Sequence, residues 1–159
     1  MSDSTTLPLV AGAIAPDFHL PSTSGASVAL SQFRGVKHVL LAFFPKAFTS
    51  VCTSEMCAFS DDFDVFADAR VEVLPISVDT IEVLQQFRDA HHMKVQLLSD
   101  VGATVARHYG ALWADGAIAN RAYFLIDEGG IIRWAHVEEH PGLHRPNAEI
   151  FERIKSVTG

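Results

Sequence analysis

Two apolar runs rich in β-forming residues, 37–44 and 71–78, limit the folds that this chain can adopt. Neither run alternates apolar with polar residues, which indicates strands buried on both faces of a sheet. Pro75 lies inside the second run, so we expect it where a missing backbone N–H costs no hydrogen bond. The segment between the runs, 52–67, repeats apolar residues every three or four positions and is predicted to be a helix. Its apolar stripe consists of Cys52, Met56, Phe59, Phe63 and Phe66.

The rest of the chain continues the alternation of strands and helices. Residues 123–126 and 131–137 flank Asp-Glu-Gly-Gly, a pattern typical of a β-hairpin. This order predicts an α/β chain with a thioredoxin-like fold, in which helices flank a central mixed β-sheet after an N-terminal β extension around 18–20 and 28–30. The remaining predicted elements are a helix over 80–91 with Asp79 as its N-cap, a short strand over 95–98, a short helix over 101–108 and a last helix over 147–157.

Length and charge narrow the class of protein. The chain has 159 residues, so we predict a single domain over 1–159, with residues 1–7 flexible. The net charge is −7 and basic residues are scattered, which argues against a nucleic-acid partner. The longest apolar stretch, 39–44, is far shorter than a membrane span. Because Arg34 is the first basic residue, we expect no secretory signal and a cytoplasmic location.

Cys52 lies where a loop enters the predicted helix after the first strand. Thr49 or Ser50 is a natural N-cap, which places Cys52 in the first helical turn. Unpaired backbone N–H groups and the positive end of the helix dipole both favour a thiolate there. The thiolate is the nucleophilic form, so the position predicts a reactive cysteine facing the protein body. The alternative is that Cys52 is only a small buried apolar side chain.

The spacing Pro-x-x-x-Thr-x-x-Cys, formed by Pro45, Thr49 and Cys52, resembles the peroxidatic signature of the peroxiredoxins. Segments 15–18 and 118–133 are also similar to this family and follow in the right order. Within the family the chain looks closest to the AhpE-like group, with the bacterioferritin-comigratory (PrxQ) group close behind. The resemblance implies a thioredoxin-like fold and a thiol-dependent peroxidase.

The resemblance also implies a role for each site residue. The Cys52 sulfur attacks a peroxide oxygen and becomes a sulfenic acid. Arg121 donates guanidinium N–H groups to the sulfur and the peroxide, and the Thr49 hydroxyl donates and accepts hydrogen bonds. Pro45 packs over the sulfur and restricts water, and Glu55 helps to orient the arginine. The alternatives are an N-cap for Thr49, a surface ion pair for Arg121, a helix-dipole partner for Glu55 and a strand terminator for Pro45.

Cys57 follows Cys52 by five residues. On an ideal helix these side chains point ~140° apart, with Cα atoms roughly 8–9 Å apart. A disulfide needs less than about 7 Å, so this bond requires the first turns of the helix to unwind. The same spacing occurs in part of the PrxQ group, where the second cysteine resolves the sulfenic acid. We therefore predict a Cys52–Cys57 disulfide after oxidation; reduction by an external thiol, with Cys57 packed on the helix flank, is the alternative.

The leading hypothesis is a peroxidase for hydrogen peroxide and organic hydroperoxides, with peroxynitrite as a further candidate. The implied partners are a thioredoxin-like or glutaredoxin-like reductant, or a low-molecular-weight thiol, and a second copy in a homodimer. We expect no cofactor, because the sulfur itself carries out the redox chemistry. We expect no metal, because Pro141 and Gly142 interrupt any helix that would align His136, His140 and His144. Two other hypotheses are a thioredoxin-like disulfide oxidoreductase, which the missing Cys-x-x-Cys disfavours, and a non-enzymatic redox-sensing module.

Overall fold

Seven strands, five α-helices and one 3₁₀ helix occur in the described residues, 8–113, 118–139 and 143–158 of the computed structural model. The strands are β1 His19–Pro21, β2 Ser27–Ala29, β3 His38–Phe43, β4 Val71–Ser77, β5 Leu98–Ser99, β6 Ala122–Ile126 and β7 Ile132–Val137. The α-helices are α1 Ser50–Asp61, α2 Phe63–Asp68, α3 Ile81–Ala90, α4 Thr104–Tyr109 and α5 Asn147–Thr158, and the 3₁₀ helix is Leu30–Phe33. Residues 1–7 lie outside the described part, so their flexibility and the single domain over 1–159 stay predictions.

A five-stranded sheet in the order β5-β4-β3-β6-β7 forms the centre of the molecule. β3 pairs in parallel with β4, and β4 in parallel with β5. β6 is antiparallel to both β3 and β7, so the sheet is mixed, as predicted. β1 and β2 form a separate antiparallel pair, which confirms the predicted N-terminal extension.

The sheet separates two apolar clusters, and β3 supplies both. Val39, Leu41 and Phe43 pack into one cluster together with α4 and the 3₁₀ helix. Leu40 and Ala42 point the other way, into the cluster formed with α1, α2, α3 and α5. Because helices cover both faces, the β3 run has no polar alternation, as the sequence predicted. Cys52 belongs to the second cluster and is fully buried.

Pro75 lies within β4 without losing a sheet hydrogen bond. Phe44 donates its N–H to the Ile76 carbonyl at 2.9 Å, so residue 76 turns its backbone groups toward β3. Neighbouring residues alternate, so the nitrogen of Pro75 faces the β5 side. β5 pairs with β4 only from Ile76 onward. The prediction that Pro75 lies where no N–H is needed is therefore confirmed.

The helix predicted over 52–67 is wrong in its extent. The structure has two helices, α1 and α2, with a break at Asp62, whose backbone (φ −97°, ψ 17°) leaves the helical region. The Asn147 side-chain amide donates to the Ala58 carbonyl at 3.1 Å and to the Asp62 carboxylate at 2.8 Å. These bonds satisfy groups at the end of α1, so the helix ends there. Phe63 is consequently 37% exposed rather than part of the apolar stripe.

The predicted N-cap of α3 is also wrong. Thr80, not Asp79, is the N-cap, and its hydroxyl accepts the Val83 N–H at 3.4 Å. The Asp79 carboxylate instead accepts the Ala47 N–H at 2.7 Å and the Ser77 hydroxyl at 2.8 Å. Asp79 therefore fixes the loop between β3 and α1 instead of the helix that follows it in sequence.

Two short elements are shifted from their predicted bounds. β5 covers only Leu98–Ser99, because only these residues pair with β4. α4 begins at Thr104 rather than near residue 101, because Ala103 has a left-handed backbone with φ 59°. The predicted hairpin and the last helix are confirmed within one or two residues.

Candidate active site

The loop between β3 and α1 places Cys52 at the start of a helix. Thr49 is the N-cap with extended backbone (φ −83°, ψ 155°), and Cys52 is the third helical residue. The bond from the Thr53 N–H to the Thr49 carbonyl, at 2.8 Å, is the first i→i−4 bond of α1. The N–H groups of Val51 and Cys52 precede it, so they contribute partial positive charge at the sulfur. Pro45 is buried in the same loop.

The Thr49 hydroxyl points back into the loop. It donates to the Lys46 carbonyl at 3.1 Å and makes no capping bond to the helix. The side chain is exposed, in contrast to the buried Cys52. Thr49 therefore caps α1 through its backbone conformation, and its hydroxyl oxygen keeps acceptor capacity toward a ligand at the helix start.

Arg121 reaches the sulfur from the opposite side of the site. It directly precedes β6, and its Nη2 donates to Cys52 Sγ at 3.0 Å. Both side chains are buried, with 1% of Arg121 and none of Cys52 exposed. The alternative of a surface ion pair for Arg121 is therefore wrong. A guanidinium at this distance stabilises a thiolate because it brings positive charge and N–H donors to the same sulfur.

Glu55 binds the other arm of the same guanidinium. Its Oε1 accepts from Arg121 Nη1 at 2.5 Å, and only 2% of the side chain is exposed. Burial raises the pKa of Glu55, while the positive charge of Arg121 acts against that rise. The contact removes the alternative that Glu55 serves only the helix dipole. The structure therefore brings Cys52, Arg121 and Glu55 into one buried group with Arg121 at its centre.

Tyr123 is a fourth member of this group, which the sequence analysis did not include. Its hydroxyl donates to Glu55 Oε2 and accepts the Arg145 N–H at 2.9 Å. The side chain is fully buried, and burial raises the pKa of Tyr123, so the hydroxyl keeps its proton. The signal was present in the sequence, because side chains two apart in extended backbone share a face and Tyr123 follows Arg121 by two.

Backbone contacts hold Arg121 in place ahead of β6. The Asn120 side-chain oxygen accepts the Arg121 N–H at 2.8 Å, and the Asn120 amide donates to the Glu138 carbonyl at 2.6 Å. The Glu138 N–H donates to the Arg121 carbonyl at 2.9 Å. The main chain of Arg121 is thus fixed by side-chain and backbone bonds, which limits the movement of its guanidinium.

Cys57 lies on the same helix as Cys52. Both residues are free thiols within the continuous α1, and Cys57 is partly buried. Burial, followed by the negative charge of Asp61, raises the pKa of the Cys57 thiol. Two cysteines five residues apart on an intact helix are too far apart for a disulfide. Resolution by Cys57 therefore needs a local unwinding of α1.

The part of the chain that the structure describes contains neither a metal-binding cluster nor a membrane-spanning helix. Within the described residues, no three His, Cys, Asp or Glu side chains are grouped so that they could hold a metal ion. His140, one of the three histidines spaced by four, lies outside that part of the chain. Among the helices described, none has the length and apolar character to cross a bilayer.

Comparison with known proteins identifies the family. The AhpC/TSA family profile matches residues 11–135. The chain belongs to the AhpC/TSA family. Peroxiredoxin Bcp of Escherichia coli (strain K12) is 39% identical over 132 residues, which cover 79% of this chain and 83% of that protein. The mitochondrial thioredoxin-dependent peroxide reductase of Mus musculus is 34% identical over 153 residues, covering 87% of this chain and 59% of the relative.

A solved peroxiredoxin structure agrees with the fold. The crystal structure of reduced 2-Cys peroxiredoxin from Plasmodium vivax superposes with a TM-score of 0.87 at 32% identity, covering 94% of this chain and 82% of that one. The predicted resemblance to the peroxiredoxins, the thioredoxin-like α/β fold and the class of thiol-dependent peroxidase are thus confirmed. Of the two subgroups that the sequence suggested, the bacterioferritin-comigratory group is represented among these relatives by Bcp.

Proposed function

We propose that this peroxiredoxin reduces hydrogen peroxide and organic hydroperoxides, with peroxynitrite as a further candidate, and uses Cys52 as its nucleophile. The main support is the 3.0 Å contact between Arg121 Nη2 and Cys52 Sγ in a buried site at the start of α1. A helix N-terminus and a guanidinium both favour the thiolate, which is the form that attacks. A disulfide oxidoreductase with a Cys-x-x-Cys pair would not need this arginine.

The reaction oxidises the sulfur by two electrons and reduces the peroxide. The Cys52 thiolate attacks one peroxide oxygen, an S–O bond forms and the O–O bond breaks. The sulfur becomes a sulfenic acid, and the leaving oxygen takes a proton to depart as water from hydrogen peroxide or as an alcohol from an organic hydroperoxide. Peroxynitrite would instead release nitrite. No electron carrier is required in this step, because the peroxide is the oxidant.

Negative charge spreads from the sulfur to both oxygens as the O–O bond stretches. Arg121 offers fixed N–H donors at that point, and Glu55 holds the guanidinium from the other side. Preorganised donors in a water-poor site lower the barrier because they need no reorientation during the reaction. In this proposal Thr49 positions the peroxide through its hydroxyl oxygen, and Pro45 limits access of water to the sulfur.

Cys57 is proposed to resolve the sulfenic acid. Its sulfur attacks Cys52 Sγ, a disulfide forms and the sulfenic oxygen leaves as water. Support comes from the position of both cysteines on α1, about one and a half turns apart. Intact mass under non-reducing conditions after one equivalent of peroxide tests this step. A sulfenic acid that persists beside a free Cys57 would assign resolution to an external thiol.

We propose that a thioredoxin-like or glutaredoxin-like dithiol protein, or a low-molecular-weight thiol, returns the electrons. A relative that is 34% identical is named a thioredoxin-dependent peroxide reductase, which favours thioredoxin among these. Such a reductant operates in a reducing compartment, so we propose that the protein is located in the cytoplasm.

We also propose a homodimer through the loops around the active site, where Phe48 is 51% exposed. Light scattering would then give twice the 17.3 kDa chain mass.

Peroxide turnover in site variants tests the proposal. Cys52→Ser should abolish peroxide consumption, because no thiolate remains at the helix start. Arg121→Ala should lower the rate constant for peroxide at least ~10-fold, about 1.4 kcal/mol of barrier. The matched control is Arg133→Ala, which removes an exposed arginine that pairs with Asp127 across the hairpin at 3.2 Å. Turnover that survives in Cys52→Ser would overturn the proposal, and an unchanged rate in Arg121→Ala would remove that residue from it.

A further inference from the structure

We propose that Tyr123 is a positioning residue that holds Glu55, and through it the first turns of α1, and so sets the rate at which Cys57 reaches oxidised Cys52. The inference rests on the proposed function, because it takes Cys57 as the resolving thiol. It starts from the order of residues on α1. Glu55 lies between Cys52 and Cys57, so the segment that must unwind for the disulfide includes Glu55 itself.

Glu55 connects the start of α1 to the sheet side of the site through hydrogen bonds. Its two carboxylate oxygens have different partners, since Oε1 accepts from Arg121 Nη1 and Oε2 from the Tyr123 hydroxyl. Both partners belong to the β6 side of the site, and all three side chains are at most 2% exposed. Unwinding α1 past Glu55 must therefore break two charge-assisted hydrogen bonds, which are stronger than neutral ones.

Tyr123 is a rigid anchor for this contact. Its ring stacks on Trp134 with centroids 6.0 Å apart and planes 17° apart. Its hydroxyl also accepts the Arg145 N–H, and the Arg145 side chain bonds Glu138 at 2.8 Å. Because the tyrosine oxygen is held from both directions, it cannot follow Glu55 when α1 unwinds. Unwinding of α1 therefore breaks the hydrogen bond between the Tyr123 hydroxyl and Glu55.

The consequence is a competition between two fates of the sulfenic acid. Unwinding lets Cys57 attack, with loss of water and formation of the disulfide. While α1 stays folded, a second peroxide can oxidise the sulfenic acid to sulfinic acid, with release of water or an alcohol. An anchor that keeps α1 folded slows the first fate and leaves more time for the second. Removing the Tyr123 hydroxyl should shift the outcome toward the disulfide.

The test uses Tyr123→Phe, which keeps the stacked ring and removes only the hydroxyl. The matched control is Tyr109→Phe, because Tyr109 is also fully buried and its hydroxyl donates to the Pro16 carbonyl at 2.6 Å in the other apolar cluster. Stopped-flow tryptophan fluorescence separates a phase that depends on peroxide concentration, which is oxidation, from one that does not, which is resolution. Sulfinic acid is measured by intact mass at a fixed excess of peroxide.

Tyr123→Phe should speed the concentration-independent phase at least ~10-fold, as expected for losing a hydrogen bond to a charged group, and should lower the yield of sulfinic acid. Tyr109→Phe should leave both unchanged. Tyr109→Phe also loses a buried hydroxyl hydrogen bond, so it shows what a general loss of stability does to the ratio of disulfide to sulfinic acid. An unchanged ratio in Tyr123→Phe overturns the proposal.

Hydrogen exchange of the reduced proteins tests the anchor without any redox step. Amides of residues 50–57 should exchange faster in Tyr123→Phe than in wild type or in Tyr109→Phe, while β3 amides stay equally protected. If wild type forms no Cys52–Cys57 disulfide, the proposed resolving role of Cys57 fails, and exchange alone decides whether Tyr123 anchors α1. Equal exchange in this segment overturns the anchor. If the amides of residues 50–57 exchange faster in Tyr123→Phe but the resolution phase is unchanged, Tyr123 anchors α1 without controlling the attack by Cys57.

Discussion

Arg121 is the positive group of the buried site, and it serves two partners. Arg121 lies between the Glu55 carboxylate at 2.5 Å and the Cys52 sulfur at 3.0 Å. A charge removed from water costs several kcal/mol unless opposite charge and hydrogen bonds replace the lost hydration. Burial raises the pKa of Glu55 for this reason, and Arg121 counteracts it. Each residue of the pair is therefore tolerated in the core because the other is present.

This dependence predicts a strong coupling between Glu55 and Arg121 in protein stability. Glu55→Gln should lower the free energy of unfolding by about 3 kcal/mol, because Arg121 then stays buried without the carboxylate that pairs with it. Glu55→Gln combined with Arg121→Gln should lose at least ~1 kcal/mol less than the sum of the single changes, since neither the carboxylate nor the guanidinium is then left buried without the other. Urea unfolding under reducing conditions measures all four proteins. Additive losses would show that the pair is not energetically coupled.

At the scale of elements, the turn between β6 and β7 shows how one carboxylate organises a hairpin. Asp127 Oδ1 accepts the Gly129 N–H at 2.9 Å and the Ile131 N–H at 3.0 Å, and Gly130 supplies the positive φ of 85° that the turn requires. Burial acts to raise the pKa of Asp127, but these bonds and Arg133 outweigh it and hold the pKa below its usual value. The carboxylate form therefore stabilises the folded hairpin.

The stability that Asp127 contributes should depend on pH. Asp127→Ala should lower the free energy of unfolding at pH 7 by about 1 kcal/mol, because two backbone N–H groups lose their acceptor. The folded pKa is depressed, so the contribution is present above the unfolded pKa, near 4, and is lost as pH falls through the folded pKa. The difference between wild type and variant should thus shrink below about pH 4.

The matched control for Asp127→Ala is Glu152→Ala. Glu152 is an exposed carboxylate on α5 whose ion pair with Lys155 is 3.7 Å long. Exposed pairs of this kind contribute little, so the free energy of unfolding should hardly change at any pH. Denaturant unfolding from pH 3 to 7 provides the data. A difference for Asp127→Ala that stays constant across this range would contradict the pH argument.

Elements whose cause is local could be predicted from the sequence, and contacts between distant residues could not. The apolar run of β3, the hairpin signal and the helix start at Cys52 are each encoded within a few neighbouring residues. The break at Asp62 depends on Asn147, which is 85 residues away, and the true partner of Asp79 is 32 residues away. Propensity within 52–67 favours a continuous helix, so only the tertiary contact shows where it ends.

The candidate site also divides into features encoded by neighbouring residues and contacts between distant residues. The motif from Pro45 to Cys52 is local, and the place of Arg121 beside it was implied by family resemblance, not by periodicity. Tyr123 is 68 residues from Glu55, so no window of sequence contains both. Arg121 directly precedes β6 and Tyr123 lies two residues further on, within the strand, but which residue faces them across the site depends on how α1 packs against the sheet.

At the scale of the whole molecule, α1 contains the reactive sulfur and also contributes side chains to the apolar core. Cys52, Met56 and Phe59 are fully buried in the cluster between the sheet and its helices. A Cys52–Cys57 disulfide cannot form while this helix is intact, so oxidation must withdraw the start of α1 from the core. The chemistry of the thiol is therefore coupled to the stability of the entire fold.

This coupling predicts that the disulfide form is less stable than the reduced form. Closing a loop of about five residues should stabilise the chain by only about 2 kcal/mol through unfolded-state entropy. Unwinding α1 past Glu55 separates a buried ion pair, a loss of about 3–5 kcal/mol, and exposes apolar surface as well. The net loss of at least about 1 kcal/mol should lower the Tm of the oxidised protein by at least ~2–4 °C in a domain of this size.

Differential scanning calorimetry of the reduced protein and of protein treated with one equivalent of peroxide provides the comparison. Cys57→Ser given the same treatment is the control, because its Cys52 is oxidised but cannot form the intramolecular bond, and α1 stays folded. Its Tm should remain close to that of its own reduced form. An oxidised wild type that melts at or above the reduced protein would mean that the disulfide forms without withdrawing Glu55 from Arg121, which contradicts the geometry of the helix.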